Sequence, residues 1–441
     1  MRKCLLILLD GLGDRSFAEL GHQTPLQAAR TPALDRIARQ GANGLYHAAF
    51  PGQALPSENA HFAIFGFDPD DFPGRGALET IGAGIDLTEK DVALLAHLAS
   101  LYVDQGFLIT KKDLPRATSD ELAAILSELD QTWGEDIRIR FHSIKGHFGV
   151  LTMQGDVSPY ITDTNHMEDE RPVMSIVPWQ AYTHDASTRK TARALSQYLI
   201  DIFRRLDTHP VNVEKRRSGL DPVNGLVTQR AGRRKSIVPF FERYGLKGLS
   251  ISSGVLFKGM STYLGLDFIA GQESDNPEEE IATRLVQAKD AFKDYDLIHV
   301  HTKAPDEAAH QKDPDMKRKV IEALDRGIAR HIDSFLSDPE MLVIVTSDHS
   351  TPSAGTLVHS GEPVPLTMHG CGVRRDRVEC FDEVSAASGA LGMVRGKEMM
   401  YLILNYLDRA KLVGIMYSPI DQPFWPGEYA WFSLKDEGHD E

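Results

Sequence analysis

Aspartate, twice joined by histidine, recurs at three distant points in this chain, each time at or shortly beyond the end of a short apolar run. KCLLILLDG (3–11) ends in Asp10. DLIHVHTKAPDEAAH (296–310) carries Asp306 and His310, and MLVIVTSDHSTPSAGTLVHSGEPVP (341–365) carries Asp348, His349 and His359. Six mixed carboxylate and imidazole donors suit two divalent cations such as Mn2+ or Zn2+, with Mg2+ also possible, and require no thiolate. Two such ions ~3.5–4 Å apart can hold the attacking and leaving oxygens of an in-line phosphoryl displacement. A hydroxyl activated in this way becomes a nucleophile at neutral pH. Ser57, in Pro56-Ser57-Glu58, is the candidate. It stands where a helix should begin, either as a plain N-cap or as a hydroxyl whose attached phosphate is favoured by the helix amino terminus.

The elements that must position these groups follow from the same segments. Each run has the length and β-branched content of a buried strand, and parallel strands put their carboxyl ends along one edge. Three segments far apart in sequence would thus deliver three Asp and three His to one place. Pro305 suits a helix start, and the spacing from Asp306 to His310 puts both on one helix face. Residues 1–45 read as strand, loop and helix, and from 237 onward strands and helices alternate, as in a doubly wound α/β core. Between 88 and 236 the texture changes to a separate α/β unit with amphipathic helices at 121–129 and 191–206. Gly74-Arg75-Gly76 precedes it, and Arg75 could hold an anion or pair on the surface. Residues 213–236 concentrate Lys215, Arg216, Arg217, Arg230, Arg233, Arg234 and Lys235. This is either a solvated basic surface or an electropositive wall for a phosphorylated, carboxylate-bearing substrate. The tail from 418 ends acidic and is read as frayed.

Composition narrows the class. With 441 residues, 42% hydrophobic and 25% charged, the chain has room for two domains or one domain with a large insert. A net charge of −15 argues against nonspecific nucleic-acid binding. Three cysteines are too few for a disulfide framework. The first apolar run stops at Asp10 and reads as a strand rather than a signal peptide, and no segment reaches the ~20 apolar residues a membrane helix needs. A cytoplasmic location without membrane or nucleic-acid partners is expected.

LLDGLGDR, TPLQAARTPALDRIA, SENAHFAIFGFDP, GRGALETIGAGIDL, HTKAPDEAAH and SDHSTPS…HSGEPVP together resemble the archaeal-type cofactor-independent (2,3-bisphosphoglycerate-independent) phosphoglycerate mutases of the alkaline phosphatase superfamily. The resemblance implies an alkaline-phosphatase-like core sheet from residues 1–87 and 237–441. Residues 88–236 would form an inserted, smaller substrate-binding lid domain. It implies that Ser57 becomes phosphorylated, that Asp10, Ser57, Asp348 and His349 hold one metal, and that Asp306, His310 and His359 hold the other. It also implies substrate contacts from Lys258 in FKGM, Asn212 and Arg217 near HPVN, and the region of His147. The insert departs from the family pattern. TKKDLPRATSDE (110–121) lacks the usual Asp-Arg…Gly-Arg, and Gly146-His147-Phe148-Gly149-Val150-Leu151 replaces His-Arg-Gly-Val-Leu. The expected reaction is interconversion of 2- and 3-phosphoglycerate. The alternatives are a phosphatase or a homoserine-kinase-like phosphotransferase on the same site, or a binding protein with a decayed site.

Overall fold

The structure, a computed structural model, describes residues 2–432 apart from 130, 273, 428 and 430; the acidic end at 433–441 lies outside the described residues. The strands run in chain order β1 (Lys3–Leu9), β2 (Ala42–His47), β3 (Val92–Asp104), β4 (Phe107–Lys112), β5 (Arg138–Lys145), β6 (Phe148–Gln154), β7 (Arg171–Pro172), β8 (Gly225–Gly232), β9 (Gly248–Ser252), β10 (Asp267–Ala270), β11 (Leu297–Thr302), β12 (Met341–Thr346), β13 (Val364–His369) and β14 (Gly392–Arg395). The chain divides into two compact units. One comprises Met1–Pro69, Val238–Gly254 and Leu264–Glu441; the other comprises Asp70–Ile237 and Val255–Tyr263.

The first unit is built on an eight-stranded sheet in the order β10-β9-β11-β1-β12-β13-β2-β14. β10, β9, β11, β1 and β12 are mutually parallel, and β13 runs against both of its neighbours. β1 and β12 read as near-continuous apolar runs because strands in the middle of a parallel sheet are covered on both faces. Their alternate residues serve different faces. Leu5, Ile7 and Leu9 of β1, Val343 and Val345 of β12 and Ile298 and Val300 of β11 join one core with Leu34, Ile37, Leu285, Ile321 and Leu324 from helices. Each such side chain contributes about 1.5–3 kcal/mol when fully buried. The register sets Leu9 beside Thr302 and Leu8 beside Thr346. The chain therefore leaves β1, β11 and β12 at one edge, and the expectation of three adjacent parallel strand ends is met.

One half-buried carboxyl sits beside the loop that leaves β1. Glu383 accepts a hydrogen bond from the Asp14 backbone N–H (3.2 Å) and one from the Thr24 hydroxyl (2.8 Å). Burial pushes it up from 4.5 to about 7. The folded chain thus keeps this proton where the unfolded chain releases it, so stability falls as pH rises from about 4.5 to about 7 and levels off above. The expected change is roughly 2–3 kcal/mol. Glu383→Gln should flatten that part of the pH dependence of the thermal midpoint; an unchanged slope would remove Glu383 from the account.

The second unit is an antiparallel sheet in the order β5-β6-β3-β4-β7, with β8 also paired to β3. The helices Ser119–Ser127 and Ala186–Asp207 pack on it through Ile125, Leu195 and Ile202. Asp185 caps the longer helix by accepting from the Thr188 N–H, and Arg204 and Arg205 lie at its negative carboxyl end. This unit takes in more than the sequence boundaries at 88 and 236 enclose. The helices Arg75–Gly82 and Val255–Leu264 cross at Gly82 and Gly259, where a Cβ on either would collide with the other's backbone. That close crossing, and the approach of Gly76 to the Ala93 backbone, tie both helices to this sheet.

Candidate metal and phosphoryl-transfer site

Asp10 directly follows β1, and Asp348 and His349 lie just past β12. The helix Ala304–His310, begun by Pro305 beyond β11, carries Asp306 and His310 one turn apart. Two groups result. Asp10, Asp348 and His349 form one; Asp306, His310 and His359 form the other. Within each group the ligand atoms lie within 4.8 Å of one another. The turn after Asp10 requires glycine: Gly11 has φ 62°, and a Cβ there would lie 2.7 Å from both Asp306 and the Thr351 hydroxyl.

Ser57 begins the helix Ser57–Ile64, one residue inside the position expected of an N-cap; Pro56 is the N-cap. Proline suits the extended cap backbone, and the serine hydroxyl is left to face the carboxylates. Ser57 Oγ lies 2.9 Å from His349 Nε2 and 3.5 Å from Asp10 Oδ1. His349 Nε2 is also 3.3 Å from Asp10 and 3.2 Å from Asp348. All six predicted ligands and Ser57 are thus brought together.

Three supporting side chains escaped the sequence reading. The Thr351 hydroxyl donates to Asp306 Oδ1 at 2.7 Å and accepts from His349 Nδ1 at 3.1 Å. This bridges the two groups and leaves the His349 Nε2 lone pair facing Asp10, Asp348 and Ser57. His301 Nε2 meets Asp10 Oδ2 at 2.9 Å, and His61 Nδ1 donates to the Ser57 carbonyl at 2.8 Å. On the far side, His359 Nδ1 donates to the Leu55 carbonyl at 2.8 Å, which turns its Nε2 toward Asp306 at 3.6 Å.

The electrostatics fit a cation. Burial, then the neighbouring charge of Asp306, pushes the Asp10 carboxyl up; burial and the charge of Asp10 do the same to Asp348. Burial takes His349 down to about 4, so its imidazole is neutral at physiological pH. Burial also opposes ionisation of Asp306, but hydrogen bonding from His310 and the nearby His349 hold it below the usual carboxylate range. The bond to Asp306 raises His310 in turn. Asp348 Oδ2 is buried and has no hydrogen-bond partner among the described residues. An orphaned carboxylate oxygen amid oxygen and imidazole donors suits a divalent cation, whose charge would offset the cost of ionising adjacent buried carboxyls.

The residues expected to touch substrate lie in the other unit. Lys258 is exposed on the helix Val255–Leu264. Arg75 pairs with Glu79 at 2.8 Å, and Arg217 is exposed, 3.8 Å from Glu214. His147 is half-buried after β5, and burial lowers its pKa. Asn212 differs from the expectation. It is fully buried, and its amide bonds the carbonyls of Leu206 (2.8 Å) and Val223 (2.9 Å) and the Val223 N–H (2.7 Å). It staples a helix end to the strand approach of β8. Asn212→Ala should cost roughly 2–4 kcal/mol of stability by stranding those backbone groups; a variant with normal stability and a raised substrate KM would reverse this reading.

Four of the seven basic side chains of the 213–236 segment make local bonds. Lys215 is buried and donates to the Arg116 carbonyl (2.7 Å), Arg216 pairs with Asp207 (2.8 Å), Arg233 bonds the Val157 carbonyl, and Lys235 bonds the Asp70 carbonyl (2.7 Å).

The fold and the two ligand groups place the chain in the metalloenzyme superfamily, whose family model matches residues 2–406. The 2,3-bisphosphoglycerate-independent phosphoglycerate mutase 2 of Methanocaldococcus jannaschii is 37% identical over 421 residues, 94% of this chain and 95% of that protein. The corresponding mutase of Methanopyrus kandleri is 34% identical over 418 residues, 94% and 98% of the two chains. The solved cofactor-independent phosphoglycerate mutase of Thermoplasma acidophilum aligns with a TM-score of 0.65 and 29% identity, over 92% of this chain and all of that one. A solved Pyrococcus horikoshii protein aligns at 0.75 and 29%, over 94% and 99%. Within the superfamily, this chain belongs to the 2,3-bisphosphoglycerate-independent phosphoglycerate mutase family. No helix among the described residues is long and apolar enough to cross a membrane.

Proposed function

We propose that this chain interconverts 2-phosphoglycerate and 3-phosphoglycerate by carrying the phosphoryl group on Ser57. The observation that carries this reading is the placement of Ser57 Oγ 2.9 Å from His349 Nε2 and next to Asp10, with Thr351 linking that group to Asp306. Asp10, Ser57, Asp348 and His349 would hold one divalent cation, and Asp306, His310 and His359 the other; the donor set suits Mn2+ or Zn2+. Bound there, the cations supply Lewis acidity that lowers the pKa of the serine hydroxyl and neutralises charge on the phosphoryl oxygens.

The chain's own groups do the rest. As Ser57 Oγ attacks phosphorus its proton passes to the glycerate oxygen, whose bond to phosphorus breaks. The neighbouring glycerate hydroxyl then attacks the phosphoserine, and its proton passes to Ser57 Oγ as the bond from phosphorus to Oγ breaks. The helix amino terminus at Ser57 favours the added negative charge. Thr351 and His301 hold His349 and Asp10 in place throughout. Water must be kept from the phosphoserine, or the enzyme becomes a phosphatase. We assign that role, with substrate binding, to the second unit and to Lys258, Arg75, Arg217 and His147.

A phosphatase or a phosphotransferase on another small hydroxy acid is the second reading. It is favoured by the altered insert, in which TKKDLPRATSDE lacks the family's Asp-Arg…Gly-Arg. A coupled mutase assay with 3-phosphoglycerate and Mn2+, with released phosphate followed in parallel, separates the two. Formation of 2-phosphoglycerate without phosphate supports the mutase; phosphate alone, or no turnover, favours the second reading.

A further inference from the structure

The helix Pro314–Ala329 buries a lysine that the reaction above does not use. Lys317 is fully excluded from solvent. Its ammonium donates to the Gly13 carbonyl (2.9 Å), the Thr351 carbonyl (2.9 Å) and Asp14 Oδ2 (3.1 Å). Three donors meet three acceptors, so the group is saturated. Those acceptors come from two different loops: the one that leaves β1 at Asp10 and the one that leaves β12 through Asp348 and His349. Asp14 reinforces the link by accepting from the Ser353 N–H (3.1 Å) and hydroxyl (2.6 Å), and the Thr351 N–H donates to the Gly13 carbonyl at 2.9 Å. Burying an ammonium is costly unless every proton is bonded and its charge is paired. Here both conditions hold, at a point where the two loops are in contact, next to the bonds from the Gly11 N–H to Asp348 and from the Leu12 N–H to Ser347.

We propose that Lys317 is a positioning residue: it fixes the separation of the Asp10 loop from the Asp348–His349–Thr351 loop, and thereby the affinity of the centre for its cations. The inference rests on the two-cation reading above. Its mechanism is short. Thr351 orients both His349 and Asp306 through its hydroxyl, and Lys317 holds Thr351 by its carbonyl. If the tie is lost, the hydroxyl no longer spans the two groups.

The test uses the full chain and Mn2+ alone as the probe, with calorimetric titration and thermal midpoints with and without the metal. Lys317→Met should lower Mn2+ affinity by about 10–100-fold, the scale on which loss of a supporting partner is felt. It should lower kcat in parallel, with the KM for 3-phosphoglycerate unchanged. Lys317→Gln keeps a shorter neutral donor and should fall between, and it carries the test if the methionine variant does not fold. Leu324→Ala, in the buried core of the same helix, should lower the midpoint while leaving Mn2+ affinity as in the wild type. Lys317 variants that lose midpoint like Leu324→Ala but bind Mn2+ with wild-type affinity would overturn the inference and leave a purely structural lysine. A wild-type chain that binds no Mn2+ would instead overturn the two-cation reading, and the inference with it.

Discussion

Ser57→Ala should lose phosphoglycerate exchange by at least about 10^4-fold, the scale on which removal of a covalent nucleophile is felt. It should keep a folded first unit and a largely intact capacity for Mn2+. The reasons are local. Ser57 is the first residue of its helix, and Pro56, not Ser57, is the cap, so alanine costs little helix stability. Asp10, Asp348 and His349 are held by other partners: Asp10 by His301, Asp348 by the Gly11 and His349 N–H groups (3.1 and 3.0 Å), and His349 by Thr351. Each keeps its place without the serine. Steady-state assay and metal titration on one preparation check both halves. Full exchange by the alanine variant would remove Ser57 from the mechanism.

Asp348→Asn should separate metal binding from folding. An asparagine carbonyl can accept the same bonds from Gly11 and His349, so the turn after β12 survives. What disappears is the negative charge and the Oδ2 oxygen, which is buried and has no hydrogen-bond partner among the described residues. Mn2+ affinity at this group should fall by at least about 100-fold, beyond what loss of a supporting partner costs. Without metal the sign reverses, and the variant should be more stable than the wild type by roughly 1–3 kcal/mol. Burial and the charge of Asp10 raise the Asp348 pKa, so its ionisation opposes folding. Asp348 thus contributes most stability when protonated and loses that contribution as pH rises through its raised value. The advantage of asparagine in EDTA should therefore widen with rising pH. A metal-free variant less stable than wild type at every pH, or one with unchanged Mn2+ affinity, would contradict the assignment.

The parts of the site that were legible before the structure are those that depend on strand order alone. Apolar runs ending in Asp10, Asp348 and His349, and a proline-started helix with Asp306 and His310 one turn apart, identify themselves by period and position. The supporting groups depend on register. His301 lies within an apolar strand and reads as an ordinary core residue until Leu9 is set beside Thr302 and brings its imidazole to Asp10. Thr351 looks like a loop residue until its hydroxyl is seen between His349 and Asp306. In hindsight its position two residues after His349 in SDHSTPS was a usable signal. Partners remote in sequence are likewise not legible. Asn212 and Lys215 have the residue types of substrate ligands, yet each is saturated inside its own unit, by Val223 and by Arg116 and Glu121 respectively. Spacing along one chain does not reveal such pairings. The boundary near 70 was equally hidden, because the crossing at Gly82 and Gly259 joins segments far apart in sequence.

The phosphoryl group should pass through Ser57 and return to the same glycerate. Rapid quench of the wild-type chain with phosphorus-labelled 3-phosphoglycerate and Mn2+, followed by peptide mapping, tests it most directly. Transient label is expected on the Ser57 peptide, with label accumulating in 2-phosphoglycerate and none in free phosphate. Turnover with no label on that peptide, or label that leaves it only as inorganic phosphate, would contradict the account.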